Sequence, residues 1–174
     1  MPALRNRSRA LIPTRRLGFG NPRLAEEIHD PYRTPAKAKG PACCPDCGAT
    51  YLRGRWAWAR LTPAPTSRIT CPACRRVHDR VPAGEIVLQG TFLGAHADEA
   101  LRVLRNIEKA ESKDHPLHRI MNIRRGSPGL TVTTTDIHLP RRIVHALEAS
   151  WGGEATIHYD ESAHFARASW ERND

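Results

Sequence analysis

No run of apolar residues in this 174-residue chain approaches the roughly 20 that a membrane-spanning helix requires, which argues against an α-helical channel, transporter or anchored protein. The N-terminus lacks the apolar core of a secretory signal. Its first 25 residues are Arg-rich and acid-free, as in a mitochondrial presequence, but Pro2, Pro13, Gly18, Gly20 and Pro22 interrupt the amphipathic helix that a presequence needs. Also missing are a phosphate-cradling Walker loop, a dinucleotide-binding glycine motif, a nucleophile elbow and a His-Glu-x-x-His metalloprotease helix. There is no internal repeat and no sustained heptad pattern. These absences leave the expectation of a non-catalytic protein. Five cysteines without a secretion signal point to a reducing, cytoplasmic setting, where paired cysteines serve metals rather than disulfides.

What the chain does have is positive charge, unevenly placed. The formal net charge is +9. Residues 1–80 carry 16 Lys+Arg against 5 Asp+Glu, and residues 81–174 carry 11 against 13. A basic front half joined to a near-neutral back half suits a polyanionic partner, most often nucleic acid. Solubility on an arginine-rich background accounts for part of the same excess.

The organisation follows the composition. Residues 1–40, with nine Lys+Arg and five Pro, read as a flexible basic tail. Residues 41–82 hold all five cysteines, with a loop at 62–69. Residues 83–174 change to alternating α and β patterns. Strands are expected at 85–93, 117–125 and 130–135, and further extended segments at 155–160 and 164–171. Helical spacing runs over 97–112 and again through Leu139, Ile143, Val144, Leu147 and Trp151, with Asp136 placed as an N-cap and Gly152-Gly153 as a stop. This order predicts an α+β chain: a zinc ribbon followed by a ferredoxin-like βαββαβ domain, whose four-stranded antiparallel sheet has both helices on one face.

Cys44-Pro45-Asp46-Cys47 and Cys71-Pro72-Ala73-Cys74 are matched pairs with 23 residues between them. Each tight turn directs two thiolates at one point, so two pairs complete a tetrahedron around zinc. A module of about 40 residues has too little core to fold unaided, and metal binding supplies the deficit. Gly48 permits the left-handed turn after the first pair, whereas Arg75 at the matching position makes the second less regular. Thioredoxin-like redox chemistry would want a single pair at the head of an apolar helix, and no such helix is apparent behind either pair. Cys43 falls outside the matched pattern and reads as an idle thiol. His78, four residues past Cys74, is a substitute ligand at best.

Between the pairs, Tyr51, Arg53, Arg55, Trp56, Trp58 and Arg60 alternate along an expected ribbon strand that puts Trp56 and Trp58 on one face. Such a face either covers the module against its neighbour or stacks bases beside phosphate-binding cations, and one tryptophan can serve each purpose. Arg75 and Arg76, with Arg80, add charge near the second pair. His115, His118 and His138 have no helical metal-binding spacing, so structural or surface roles are favoured. Thr133, Thr134, Thr135 and Asp136 could hold a phosphate at a helix start, although capping explains them more simply. Arg141-Arg142 sits in a first helical turn against the dipole's preference.

The succession C-P-x-C-G, C-P-x-C, E-I-V-L-Q-G-T-F, R-N-I-E-K-A-E, L-T-V-T-T-T-D and R-R-I-V-H-A-L-E-A-S-W-G-G-E over residues 41–172 resembles the N-terminal half of the Nmd-three family of large-ribosomal-subunit export adaptors. It is closest to small bacterial stand-alone relatives. The resemblance implies zinc at Cys44, Cys47, Cys71 and Cys74, an α+β domain after it, and ribosomal RNA or a ribosomal subunit as partner. The adaptors' extra cysteine pairs, later RNA-binding domains and transport signals have no counterpart here, so export is not implied. The expected RNA contacts are Arg53, Arg55, Trp56, Trp58, Arg60, Arg75 and Arg76. The alternative is a protein-interaction or regulatory module that docks a protein partner on its sheet around a purely structural zinc.

Overall fold

The computed structural model describes residues 30–32, 40–65, 67–127, 129–160 and 164–174. Most of the segment read as a basic tail, 1–29 and 33–39, lies outside these. Residues 30–32 do not behave as a tail. Asp30 pairs with Arg76 at 2.7 Å, and the Tyr32 hydroxyl donates to Asp79 at 2.9 Å.

The front module is a small sheet with a helix. Its strands are β1 (Ala42–Cys43), β2 (Thr50–Leu52), β3 (Arg55–Ala57) and β4 (Ser67–Arg68), in the order β3-β2-β1-β4. β4 occupies part of the expected loop and runs parallel to β1. The single expected strand through 51–60 is instead a hairpin. Arg53 and Gly54 both take positive φ, which suits a tight two-residue turn, and Trp56 then pairs across to Tyr51. The second cysteine pair opens helix α1 (Pro72–Asp79), with Cys71 as N-cap and Pro72 in the first turn. A helix does open at the second pair, but it is short and polar, so the expectation that no apolar helix stands behind either pair holds. Arg75 needs no left-handed turn, because the chain there is already helical.

Ala83 leads into the second unit. Its amide donates to the Thr134 carbonyl, and its carbonyl accepts from Ala166. The elements are β5 (Gly84–Gln89), α2 (Thr91–Asp114), β6 (Ile120–Arg125), β7 (Gly129–Thr134), α3 (Leu139–Trp151), β8 (Glu154–Asp160) and β9 (Phe165–Glu171). β5 stops short of the expected end because Gly90, at φ +106, turns the chain into α2 in one residue. α2 begins six residues before the helical periodicity does. His96 has non-helical φ −114, and the regular apolar spacing starts just after that kink.

The sheet is mixed and five-stranded, in the order β6-β7-β5-β9-β8. β6-β7-β5 matches the ferredoxin-like plan, with antiparallel neighbours and a split β-α-β crossover. The other side departs from it. β9 lies parallel to β5 in the place expected for the fourth strand, and β8 is displaced to the edge. Burial accounts for the choice. β9 turns Ala166, Ala168 and Trp170 inward, and Trp170 is 0% exposed with its indole N–H bonded to the Gly152 carbonyl at 2.9 Å. β8 alternates half-buried Ala155 and Ile157 with exposed Glu154, Thr156 and His158, which suits an edge. Both helices cover one face. Leu93, Ala100 and Leu104 from α2 and Leu139, Ile143, Val144 and Leu147 from α3 pack on Ile86, Leu88, Leu130, Val132 and Trp170. Among the described residues no helix is long and apolar enough to cross a membrane.

Candidate metal centre and ribbon surface

Cys44 and Cys47 sit on the turn after β1, and Cys71 and Cys74 on the first turn of α1. Their four sulfurs lie within 4.8 Å of one another. The Cys47 and Cys71 sulfurs are 3.7 Å apart. A metal–sulfur bond of about 2.3 Å in a tetrahedron gives an edge of about 3.8 Å, so the spacing suits one shared cation. It is far too long for a disulfide, and all five cysteines are free.

Backbone groups aim the sulfurs. The Gly48 amide closes the first turn on the Cys44 carbonyl at 3.0 Å, with Gly48 at φ +77. The Cys71 amide donates to the Cys44 sulfur at 3.3 Å, and the Cys74 amide to the Cys71 sulfur at 3.4 Å. Burial opposes ionisation of Cys44, but amide bonds from Cys71, Cys47 and Asp46 outweigh it and lower its pKa. Burial pushes Cys71 well above the ordinary thiol range and Cys74 up to about 11. A cation at this point therefore has to replace bound protons. Cys43 lies on β1, outside the cluster. His78 is exposed and faces Asp46 at 3.8 Å rather than the sulfurs.

One ligand-shell residue has no signal in the local sequence. Arg119, from the segment between α2 and β6, reaches into the cluster. Its Nη2 donates to the sulfurs of Cys71 at 3.3 Å, Cys74 at 3.5 Å and Cys47 at 3.8 Å. Burial works against its charge, but the bond to Cys74 and the other sulfurs prevail and raise its pKa further. Leu117 packs on the same cluster, so the second unit closes over the four cysteines.

The residues expected to touch RNA divide in two. Arg53, Arg55, Arg60 and Trp58 are exposed, and none of these arginines has an acidic partner among the described residues. Trp56 is half-buried, packs on the cysteine cluster and tilts against Tyr51 at 5.4 Å, whereas Trp58 is exposed. Arg76 is a correction. It is 4% exposed, paired with Asp30, bonded to the Val81 carbonyl at 3.2 Å, and stacked on Tyr32 at 4.3 Å. Its charge is consumed internally and does not face a phosphate. Arg75 is half-buried, with its guanidinium 5.2 Å from the same ring.

The histidines gather where α2 ends and α3 begins. His118 Nδ1 lies 3.5 Å from Glu111 and Nε2 lies 3.3 Å from Asp136, while its ring stacks on His115 at 4.6 Å and tilts towards His138 at 5.9 Å. Burial lowers the His118 pKa, against the pull of Asp136. Nε2 faces the Asp136 carboxylate, while Nδ1 is buried without a hydrogen-bond partner among the described residues. Asp136 accepts from the His138 and Leu139 amides, which makes it the helix-start acceptor expected, two residues ahead of the capping position itself. Thr134 and Thr135 are buried, and their hydroxyls bond backbone carbonyls, which leaves no cradle for a phosphate. Arg142 pairs with Glu111 at 3.0 Å, so its place in the first turn serves the neighbouring helix.

No family model matches the chain, and neither a curated protein nor a solved structure does.

Proposed function

We propose that the protein is a non-catalytic, cytoplasmic zinc protein that associates with RNA or ribosomal particles through the ribbon surface. Zinc is favoured because four thiolates form a closed, soft donor set with no position open to substrate. The observation that carries the RNA reading is the exposed run of Arg53, Arg55 and Arg60, with no acidic partner among the described residues, beside exposed Trp58 and next to the cysteine cluster. Cations left without acids, next to an aromatic face, are what a polyanion with stackable bases requires. The likeness of residues 41–172 to the Nmd-three adaptors supports a ribosomal partner over other RNA. The His118 cluster, with Nε2 3.3 Å from Asp136 and a buried Nδ1 that has no hydrogen-bond partner among the described residues, is read as structural.

The test is co-sedimentation with ribosomal subunits at low salt. Wild type should pellet with them and release steeply as salt rises. Arg53→Glu/Arg55→Glu should not pellet. These exposed positions are the right ones to change, because altering Arg76 would break a buried ion pair and confound the result. No association at any salt would refute the proposal. A single protein partner recovered free of nucleic acid would favour the second reading, docking on the sheet face that the helices leave open.

A further inference from the structure

Resting on the RNA reading, we infer that the base-binding element is a groove between the ribbon and α2, where single-stranded RNA stacks on Trp58 and its phosphates meet Lys109 and Lys113. The groove holds about 540 Å³ and is lined by Trp58, Asn106, Lys109, Ala110, Ser112 and Lys113. Asn106, Lys109, Ala110 and Lys113 follow i, i+3, i+4, i+7 spacing and so share one face of α2.

Trp58 is held rather than loose. Its indole N–H donates to the Ser112 carbonyl at 2.5 Å, one of the last four carbonyls of α2, which have no partner within the helix. That bond fixes the ring edge, yet Trp58 stays 47% exposed, the most exposed large apolar side chain among the described residues. A purely structural tryptophan joining two units would bury its ring. Here one edge is anchored and the ring stays open, which is the form of a stacking platform.

The charges agree. Neither lysine ammonium has an acidic partner among the described residues, whereas neighbouring Arg105 on α2 is paired with Glu108 at 3.0 Å. Exposed Arg55 and Arg60 flank Trp58 in the chain. The ribbon surface therefore continues onto the second unit. The open face of the large sheet is a poorer platform. The aromatic ring that β9 presents there, Phe165, is half-buried and already lies under the Arg167 guanidinium at 4.9 Å, and β5 and β7 add only Glu85, Val87, Gln89, Gly129, Thr131 and Thr133.

The experiment measures binding of a fluorescein-labelled ten-nucleotide oligouridylate by anisotropy, using full-length zinc-loaded protein over a salt series. Lys109→Gln/Lys113→Gln leaves packing untouched. It should weaken binding and flatten the slope of log K against log salt by about 1.4, or about 0.7 for each single-strand phosphate that is no longer neutralised. Trp58→Leu should weaken binding roughly 5- to 150-fold, the value of one stacked base, while Trp58→Phe keeps most of it. Oligoadenylate should bind comparably, and a duplex of equal length more weakly. If the lysine variant matches wild type in affinity and slope while Arg53→Gln/Arg55→Gln loses binding, the groove is refuted and the ribbon reading stands. If polyglutamate competes as well as the oligonucleotide, the site is a general polyanion surface and stacking is refuted. If wild type binds no RNA at low salt, both readings fall.

Discussion

Replacing Arg119 with leucine should loosen the metal about 10- to 100-fold. Its Nη2 stands 3.3 Å from the Cys71 sulfur and 3.5 Å from that of Cys74. At an effective dielectric constant of about 20, one charge pair at that separation is worth roughly 5 kcal/mol. Desolvating the guanidinium offsets most of this, by several kcal/mol. A remainder of about 1.4–2.7 kcal/mol corresponds to 10- to 100-fold, the usual cost of losing a hydrogen-bonding residue around a metal's ligands. The formal charge of zinc with four thiolates is −2, so the larger value is favoured if no other cation moves in. Arg119→Lys should fall between, because an ammonium keeps the charge but is more strongly hydrated and so costs more to bury beside the sulfurs. Competition with a chromophoric chelator measures zinc affinity, and cobalt substitution reports whether the tetrahedral thiolate spectrum survives. Thermal unfolding of the loaded protein separates metal loss from collapse of the α/β unit. If Arg119→Leu holds zinc within twofold of wild type, with an unchanged cobalt spectrum and an intact fold, the guanidinium does not support the site.

Cys44→Ser should abolish stoichiometric metal binding while Cys43→Ser keeps one equivalent, as read by native mass spectrometry; equal loss in both would place Cys43 among the ligands. Arg76→Ala should destabilise the protein by about 2–4 kcal/mol, towards the low end of a broken buried ion pair because Asp30 is partly exposed, while Arg55→Ala stays within about 0.5 kcal/mol; denaturant melts that rank them the other way would contradict the burial assigned to Arg76. His118 has its folded pKa lowered by burial, so the unfolded chain takes up its proton more readily. Stability should therefore fall as pH drops below about 6.5 and level off below the folded pKa, and His118→Gln should flatten that part of the profile; a melting temperature that rises on acidification through this window, in wild type but not the variant, would reverse the sign.

The four-cysteine cluster was legible because its signal is local: each half is a four-residue turn, and only the pairing of the halves is long-range. The same holds for β5, β7 and α3, where alternation or helical spacing reports one buried face. Sheet order was not legible from such patterns. Both β8 and β9 read as extended, and the deciding fact, that Trp170 fills the centre of the core, depends on residues from α2, α3 and β5 that meet only in the folded chain. The cations show the same limit more sharply. Arg53, Arg55, Arg75 and Arg76 look alike in sequence, yet Arg76 is internal because Asp30 and Tyr32, more than 40 positions earlier, close over it. Arg119 gave no sign at all, since its sulfur partners lie 45 to 72 residues away.

The segment between α2 and β6 explains why the two halves of the chain form one surface. Adjacent residues there work in opposite directions: His118 turns to Glu111 and Asp136 at the helix ends, and Arg119 turns to the thiolates. Thr135 locks the strip in place, since its hydroxyl accepts from the Arg119 amide at 2.9 Å and donates to the Leu117 carbonyl at 2.5 Å. A cation bound by the four cysteines would thus do more than close a ribbon of about 40 residues. Its thiolates would hold Arg119, and through Arg119 the end of α2 on which Trp58 rests. The bond from Trp58 to the Ser112 carbonyl sets the spacing of the ring and the α2 lysines, and the Arg119 contact would add a second tie between the same two units, so a bound metal would stiffen the proposed RNA surface without touching the RNA.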